Sequence, residues 1–359
     1  MQDNDEFEEE INPDEIVSPF EPKDIDIATE QNSLSTIIGM IEDDVIKLTT
    51  DFQRKANLWD ETKMSKLIES ILFRLPLPAF YFDASDNDRW LIVDGLQRLS
   101  TFKKFVIDNK LVLKNLIILK ELNGKTYEKL EPVLKRRIAR YQITTHLIKP
   151  GTPKKVKSDV FRRINTGGLT LSRQEIRHSL NQGKPSDYLK RLVEDKRFTD
   201  IIRLDDKRMQ ARELILRYLA FSIKNYQEYN GPNFTVFLDD AMESLDNIKD
   251  IELEKLENQL WKALDTCQKI FGKKIFTKPN SSKQNNALFE VWTVLIGKLN
   301  NNEIKKILLS KRRVARHFRS CFKEDDFSNS ISRSTLSKNR VIKRFETIEN
   351  LIKKYIYDH

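Results

Sequence analysis

The sequence predicts an α+β fold with a mixed front half and an all-helical back half. Three observations carry this reading. Strand-like runs cluster between about residues 79 and 149, and two of them flank a short polar turn. Helical spacing of apolar residues alternates with those runs from Asp60 onward. After about Ser179 the strand signals fade and only helical periodicity is left. The expected organisation is an acidic, disordered tail over 1–30, a mixed domain over 31–180 and a helical domain over 181–359.

Taken in order, Asp60 opens a helix whose Met64, Leu67, Ile68, Ile71, Leu72 and Leu75 form one apolar face. Pro76 and Pro78 stop it. "AFYFDAS" and "RWLIVDG" read as a hairpin across "DND". "LQRLSTFKKFVIDN" reads as a helix with Leu99, Phe102 and Val106 facing inward. "NLIILKEL" reads as a strand before an Asn123-Gly124 turn. "YEKLEPVLKRRIARY" is a basic helix, and "QITTHLIK" alternates as a strand does. Thr152 and Pro153 suit the cap and first position of the next helix, which runs to "NTGG". Ser172 and Glu175 have the spacing of a capping box. Five further segments, from "MQARELILRYLAFSI" to "KNRVIKRFETIENLIKKYIY", have helical spacing, and no internal repeat is visible.

Charge is unevenly spread. Met1–Glu30 holds 12 acidic residues and one Lys, a net of −11; set against +9 for the chain, this leaves +20 for the remainder. A basic body points to a polyanion such as nucleic acid or nucleotide, although a lysine-rich surface explains it equally well. Two cysteines, Cys267 and Cys321, are too few for a disulfide framework or a multi-cysteine zinc site. The acidic start is unlike a signal peptide, and the longest apolar run, "LILRYLAFSI", contains Arg217, so a cytoplasmic protein without a membrane span is expected.

Three stretches invite chemistry. In "DGLQR", Asp94 ends a strand, Gly95 permits a sharp turn, and a helix start offers N–H groups and a positive dipole end. Gln97 adds an amide, Arg98 a guanidinium fork, and Thr101 lies one turn on from Gln97. Such a set suits a di- or triphosphate, with Asp94 holding Mg²⁺ or water; a plain helix cap with a solvated Arg98 is the other explanation. A second Gln-Arg pair, Gln53 and Arg54, precedes Trp59, which either stacks on a base or belongs to the core. Third, Arg162 and Arg163 lead into Asn165, Thr166, Gly167 and Gly168, where paired glycines allow close approach of a ligand, or simply end a helix. No "GxxxxGK[ST]" occurs, and neither a His-rich nor a paired-carboxylate nuclease pattern stands out.

Taken together, Gln53-Arg54 with Trp59, "LIESILFRLPLPAFYF" before "VDGLQR", and "VFRRINTGGLTL" resemble the family defined by an Asp-Gly-Gln-Gln-Arg motif. This is the N-terminal domain family of GmrSD-type restriction endonucleases, in the ParB/sulfiredoxin-like superfamily. The resemblance covers about Leu34 to Leu180. It implies a nucleotide-binding, NTP-hydrolysing, Mg²⁺-dependent domain that regulates a prokaryotic or phage restriction or defence system. Asp94, Gln97 and Arg98 would be catalytic, with Asp94 the metal ligand. Gln53, Arg54, Gly95, Thr101, Arg163, Asn165, Thr166 and Gly167 would bind the NTP. Leu96 replaces the first glutamine of the motif, which removes one polar contact and leaves hydrolysis in question. The expected partners are a nucleotide, DNA through the basic body, and a nuclease supplied in trans. Two other readings stay open: a DNA-binding module without NTP chemistry, and a ParB-like endonuclease. The segment 301–359, with 15 Lys or Arg against 7 acids, would serve the first of these through "KRRVARHFR".

Overall fold

The computed structural model describes residues 25–48, 59–86, 88–164, 171–204, 206, 208–231 and 233–357. These form two compact units, one ending at Leu180 and the other starting at Asn181.

The first unit is built on four strands: β1 (Ile27–Ser33), β2 (Phe80–Asp86), β3 (Arg89–Asp94) and β4 (Gln142–Ile148). Their order is β1-β4-β2-β3. β4 runs antiparallel to β1 and parallel to β2, and β2 pairs antiparallel with β3 as the expected hairpin. Six helices accompany them: α1 (Leu34–Glu42), α2 (Glu61–Leu72), α3 (Leu96–Phe102), α4 (Pro132–Ala139), α5 (Lys154–Ile164) and α6 (Arg173–Leu180).

Strand alternation divides the core in two. Phe80, Phe82, Ile92, Ile143 and Leu147 pack with Leu34, Ile37, Ile68, Leu99 and Phe102 on one face. Val93 and Ile148 point the other way and join Val156, Val160 and Phe161 of α5 and Ile176 of α6. Buried Lys157 on α5 is tied to this second face by Asp83 of β2, at 3.0 and 3.1 Å. α2 starts where Asp60 accepts from the Lys63 amide at 2.9 Å. The capping box of α6 is present: Ser172 N–H donates to Glu175 Oε2 at 2.5 Å, and Glu175 N–H donates to Ser172 Oγ at 3.1 Å.

Four elements differ from expectation. "NLIILKEL" is not a strand; it is irregular and ends in a 3₁₀ turn at Lys120–Leu122. The physical reason is Glu69, whose carboxylate accepts from the amides of Ile117, Ile118 and Leu119 at 3.4, 2.8 and 2.9 Å. Those amides would otherwise serve a ladder. Burial pushes the Glu69 carboxyl up, but the three amides outweigh it and hold it below its ordinary value. Second, β1 begins inside the stretch assigned to the acidic tail, whose earlier part lies outside the described residues. Third, α4 starts only at Pro132, which suits a first helical position and cannot continue a helix from before it. Fourth, α3 passes into a π-helical segment at Lys103–Ile107.

The second unit contains α7 (Lys184–Glu194), α8 (Lys196–Thr199), α9 (Gln210–Ile223), α10 (Phe234–Ser244), α11 (Asp250–Phe271), α12 (Asn286–Lys298), α13 (Asn301–Leu309), α14 (Lys311–Cys321), α15 (Asp325–Ser330) and α16 (Lys338–Tyr357). α12 is buried over most of its surface and packs against α9, α11 and α16. Its Glu290 meets Arg344 of α16, and both are almost wholly buried. Arg344 also donates to the carbonyls of Ser330 and Thr335. The chain is thus α+β, with a small mixed sheet in the first unit and helices in the second. Among the described residues no helix is long and apolar enough to cross a membrane.

Candidate functional site at the Asp94–Gly95 elbow

β3 delivers Asp94 to the edge of the sheet, paired with Tyr81. The chain then turns at Gly95, whose φ is 104°. A Cβ here would run into the Phe80 ring, so the position has no room for a side chain as well as a backbone that favours glycine. Gly95 is the N-cap of α3 and supplies no side-chain cap; the first helical bond is Leu99 N–H to Gly95 carbonyl, at 2.9 Å. The opening amides of α3 therefore have no help from their own cap residue.

Arg98 does not project as the solvent-facing fork that the sequence suggests. It is 8 % exposed. Its Nη2 donates to Asp94 Oδ2 at 2.6 Å and to the Ala79 carbonyl at 3.2 Å, and its Nη1 donates to the Pro78 carbonyl. The guanidinium also lies 4.2 Å from the centre of the Phe80 ring. Burial pulls its pKa down from the ordinary arginine value and the Asp94 carboxylate pushes it back up. Arg98 thus locks the strand end, the elbow and the start of β2 together. Pro78 lies beyond the end of α2 at Leu72 and outside any helix, so its carbonyl is available to accept from Arg98.

Asp94 keeps 27 % of its side chain exposed. Oδ2 is taken by Arg98, while Oδ1 has no partner among the described residues. Gln97 Oε1 accepts from the Trp59 backbone N–H at 2.9 Å. This links the elbow to the residue that follows the Gln53-Arg54 stretch. The Trp59 ring packs against the core, which favours the structural explanation over base stacking. Thr101 has the expected spacing from Gln97, but it is fully buried and its hydroxyl donates back to the Gln97 carbonyl at 2.8 Å. It is a packing residue in this state and presents no group to a ligand. Leu96 packs against the core, so an apolar residue at this motif position fills space there.

Arg163 is exposed on the last turn of α5, while neighbouring Arg162 bonds Asp159 and Ser158 at 3.1 and 2.9 Å. α5 packs on Val93, the residue before Asp94, through Val160 and Phe161. Gln53, Arg54, Asn165, Thr166 and Gly167 lie outside the described residues. Sequence reasoning missed the carbonyls of Pro78 and Ala79 and the ring of Phe80 as partners of Arg98. The one sequence signal for them is the "PLPAF" run immediately before β2. Among the described residues no group of three or more His, Cys, Asp or Glu could hold a metal ion.

No curated protein and no solved structure matches the chain. Residues 34–181 match the family profile described as GmrSD restriction endonuclease, N-terminal domain. That span takes in the sheet from α1 onward, the elbow and α6, and it covers the stretch that carries the resemblance. The segment from Leu34 to Asn181 belongs to the GmrSD restriction endonuclease N-terminal domain family.

Proposed function

We propose that the first unit binds a nucleoside triphosphate at the Asp94–Gly95 elbow and acts as the nucleotide-responsive regulator of a DNA restriction or defence system. The family of the segment supports the setting. The observation that carries the site is the elbow itself, a helix start at a glycine that only glycine can occupy, directly after a partly exposed carboxylate.

The roles follow from that geometry. The opening amides of α3 point along the helix axis and favour anionic oxygens, an interaction worth about 0.3–1 kcal/mol from the helix dipole alone. Arg98 is a positioning residue: it fixes Asp94 and braces the elbow against Pro78 and Ala79. Asp94 Oδ1 is the atom left to hold a water or a cation. A single carboxylate fits Mg²⁺, which is commonly bound by one or two carboxylates plus substrate phosphates and waters. Asp94 would hold the Mg²⁺, whose chemistry there would be to offset the negative charge of the phosphates. Gln53, Arg54, Arg163 and the Asn165–Gly167 stretch supply the remaining polar contacts in this reading. Because Leu96 offers no polar group, water activation rests on Asp94, and hydrolysis is expected to be slow while binding persists.

Equilibrium binding of four radiolabelled NTPs in the presence of Mg²⁺ tests this reading. Saturable retention of at least one NTP by the wild type, with loss in Arg54→Ala, is the expected result. Retention of none, or undiminished retention by Arg54→Ala, contradicts it.

A further inference from the structure

The second unit carries a basic, aromatic-floored groove that the elbow does not use. Arg312, Arg316 and Arg319 recur on α14 at spacings of four and three, so they share one side of the helix. All three are exposed, and none has an ion-pair partner among the described residues. Val314, Phe318 and Cys321 face inward instead. Beside Arg319 a groove of about 140 Å³ opens between α14, the end of α11 and the turn that follows α11. Phe271, Phe318, Phe322 and Ala315 line it, with Lys274, Lys278 and Arg319 also contributing. The three rings pack on one another, Phe318 lying 5.3 Å from Phe271 and 5.1 Å from Phe322.

A void of about 150 Å³ accepts one benzene-sized ring. An apolar, ring-lined floor flanked by cations suits a flat base joined to a phosphate. In a duplex the bases are stacked inside, whereas a single strand can offer one. At 1.5 Å per residue, Arg312 stands about 10 Å along the axis from Arg319, far enough to meet phosphates beyond the one at the groove. The exposed acidic run Glu324–Asp326 closes the other end of the stripe, so a strand would leave toward Arg312.

We propose that this groove binds single-stranded nucleic acid, with one base against Phe322 and Ala315 and the neighbouring phosphates on Arg319, Arg316 and Arg312. The proposal does not depend on nucleotide binding at the elbow.

Fluorescence anisotropy of the full chain with a labelled single-stranded DNA, and with a duplex of the same length, tests it. Wild type is compared with the double variant Arg316→Glu/Arg319→Glu and with Ala315→Leu, which fills the groove without changing charge. The single strand is expected to bind at least about tenfold tighter than the duplex. The charge reversal is expected to weaken it at least about tenfold and to flatten the salt dependence by about 0.7 in log–log slope per lost phosphate contact. Ala315→Leu, with an unchanged thermal melt, is expected to weaken single-strand binding several-fold and to keep the salt slope. Equal affinity for strand and duplex overturns the proposal. So does a folded Ala315→Leu that binds as wild type does, which leaves only a general polyanion surface. Should Ala315→Leu fail to fold, the exposed charge-reversal pair decides alone: undiminished binding there also overturns the proposal.

Discussion

Arg98 in the first unit and Arg344 in the second are both buried guanidiniums that bond two main-chain carbonyls and one carboxylate. Their carboxylates differ. Glu290, the partner of Arg344, is 0 % exposed, while Asp94, the partner of Arg98, keeps 27 %. A pair sealed in a helical core can only specify packing. A pair whose carboxylate still reaches solvent, at a bend between strand and helix, leaves that carboxylate accessible. In the proposed reading this difference separates a structural ion pair from one that positions a site, although both arginines look alike in the sequence.

Three substitutions and a titration test this contrast. The largest effect is expected at Arg344→Met, which removes the short ion pair to buried Glu290, leaves it the longer contact with Arg217 at 3.9 Å, and should cost about 3–5 kcal/mol of stability. Urea denaturation of the full chain measures it; a cost below about 1 kcal/mol would show that Glu290 is not sealed. Arg98→Ala is expected to cost less, about 1.5–3 kcal/mol, because water can reach Asp94 and take over part of the lost bonding. An effect as large as that of Arg344→Met would remove the contrast. Gly95→Ala strains a positive-φ position and forces the Phe80 ring to move, at about 1–3 kcal/mol. The measurement is a thermal melt of the same full chain, and an unchanged melting temperature would mean that the elbow is not rigid.

The smallest effect concerns pH. Hydrogen bonds from Lys114 and Lys104 hold the Glu61 carboxyl at about 2, well below its ordinary value. Three amides hold Glu69 low as well. A depressed carboxyl stabilises the fold fully above its unfolded pKa, and that contribution is lost as pH falls through the folded value. Stability should therefore decline between about pH 4.5 and 2. The effect of Glu61 is modest because the pair is exposed and screened. Melts of wild type and Glu61→Gln across this range check it: the variant should show a shallower decline, and parallel curves would count against the assignment.

What could be read from the sequence was local. The face of α2 from Met64 to Leu72, the β2–β3 hairpin, β4 and the Ser172–Glu175 capping box each follow from spacing within a few residues, whereas Leu75, expected on that face, lies beyond the end of α2 and is exposed. β1 was illegible because its ladder partner lies in β4, with Gln31 and Thr144 separated by 113 positions. "NLIILKEL" misled because its apolar run suits a strand, while its amides are captured by Glu69 from a distant helix. The site divides in the same way. Asp94 and Gly95 were legible as an elbow. The orientation of Arg98 was not, since it depends on carbonyls at Pro78 and Ala79 and on the Phe80 ring. Thr101 was placed correctly along the helix but turns inward to the Gln97 carbonyl.

The central claim is that the first turn of α3 receives polyphosphate. Amide hydrogen exchange at Leu96 and Arg98, with and without saturating Mg²⁺–NTP, tests it most directly. Slower exchange at these two amides on adding nucleotide, with the amides of α14 unaffected, is the predicted result. Unchanged exchange there, in a protein that demonstrably retains the nucleotide, would contradict the claim and move the binding site elsewhere.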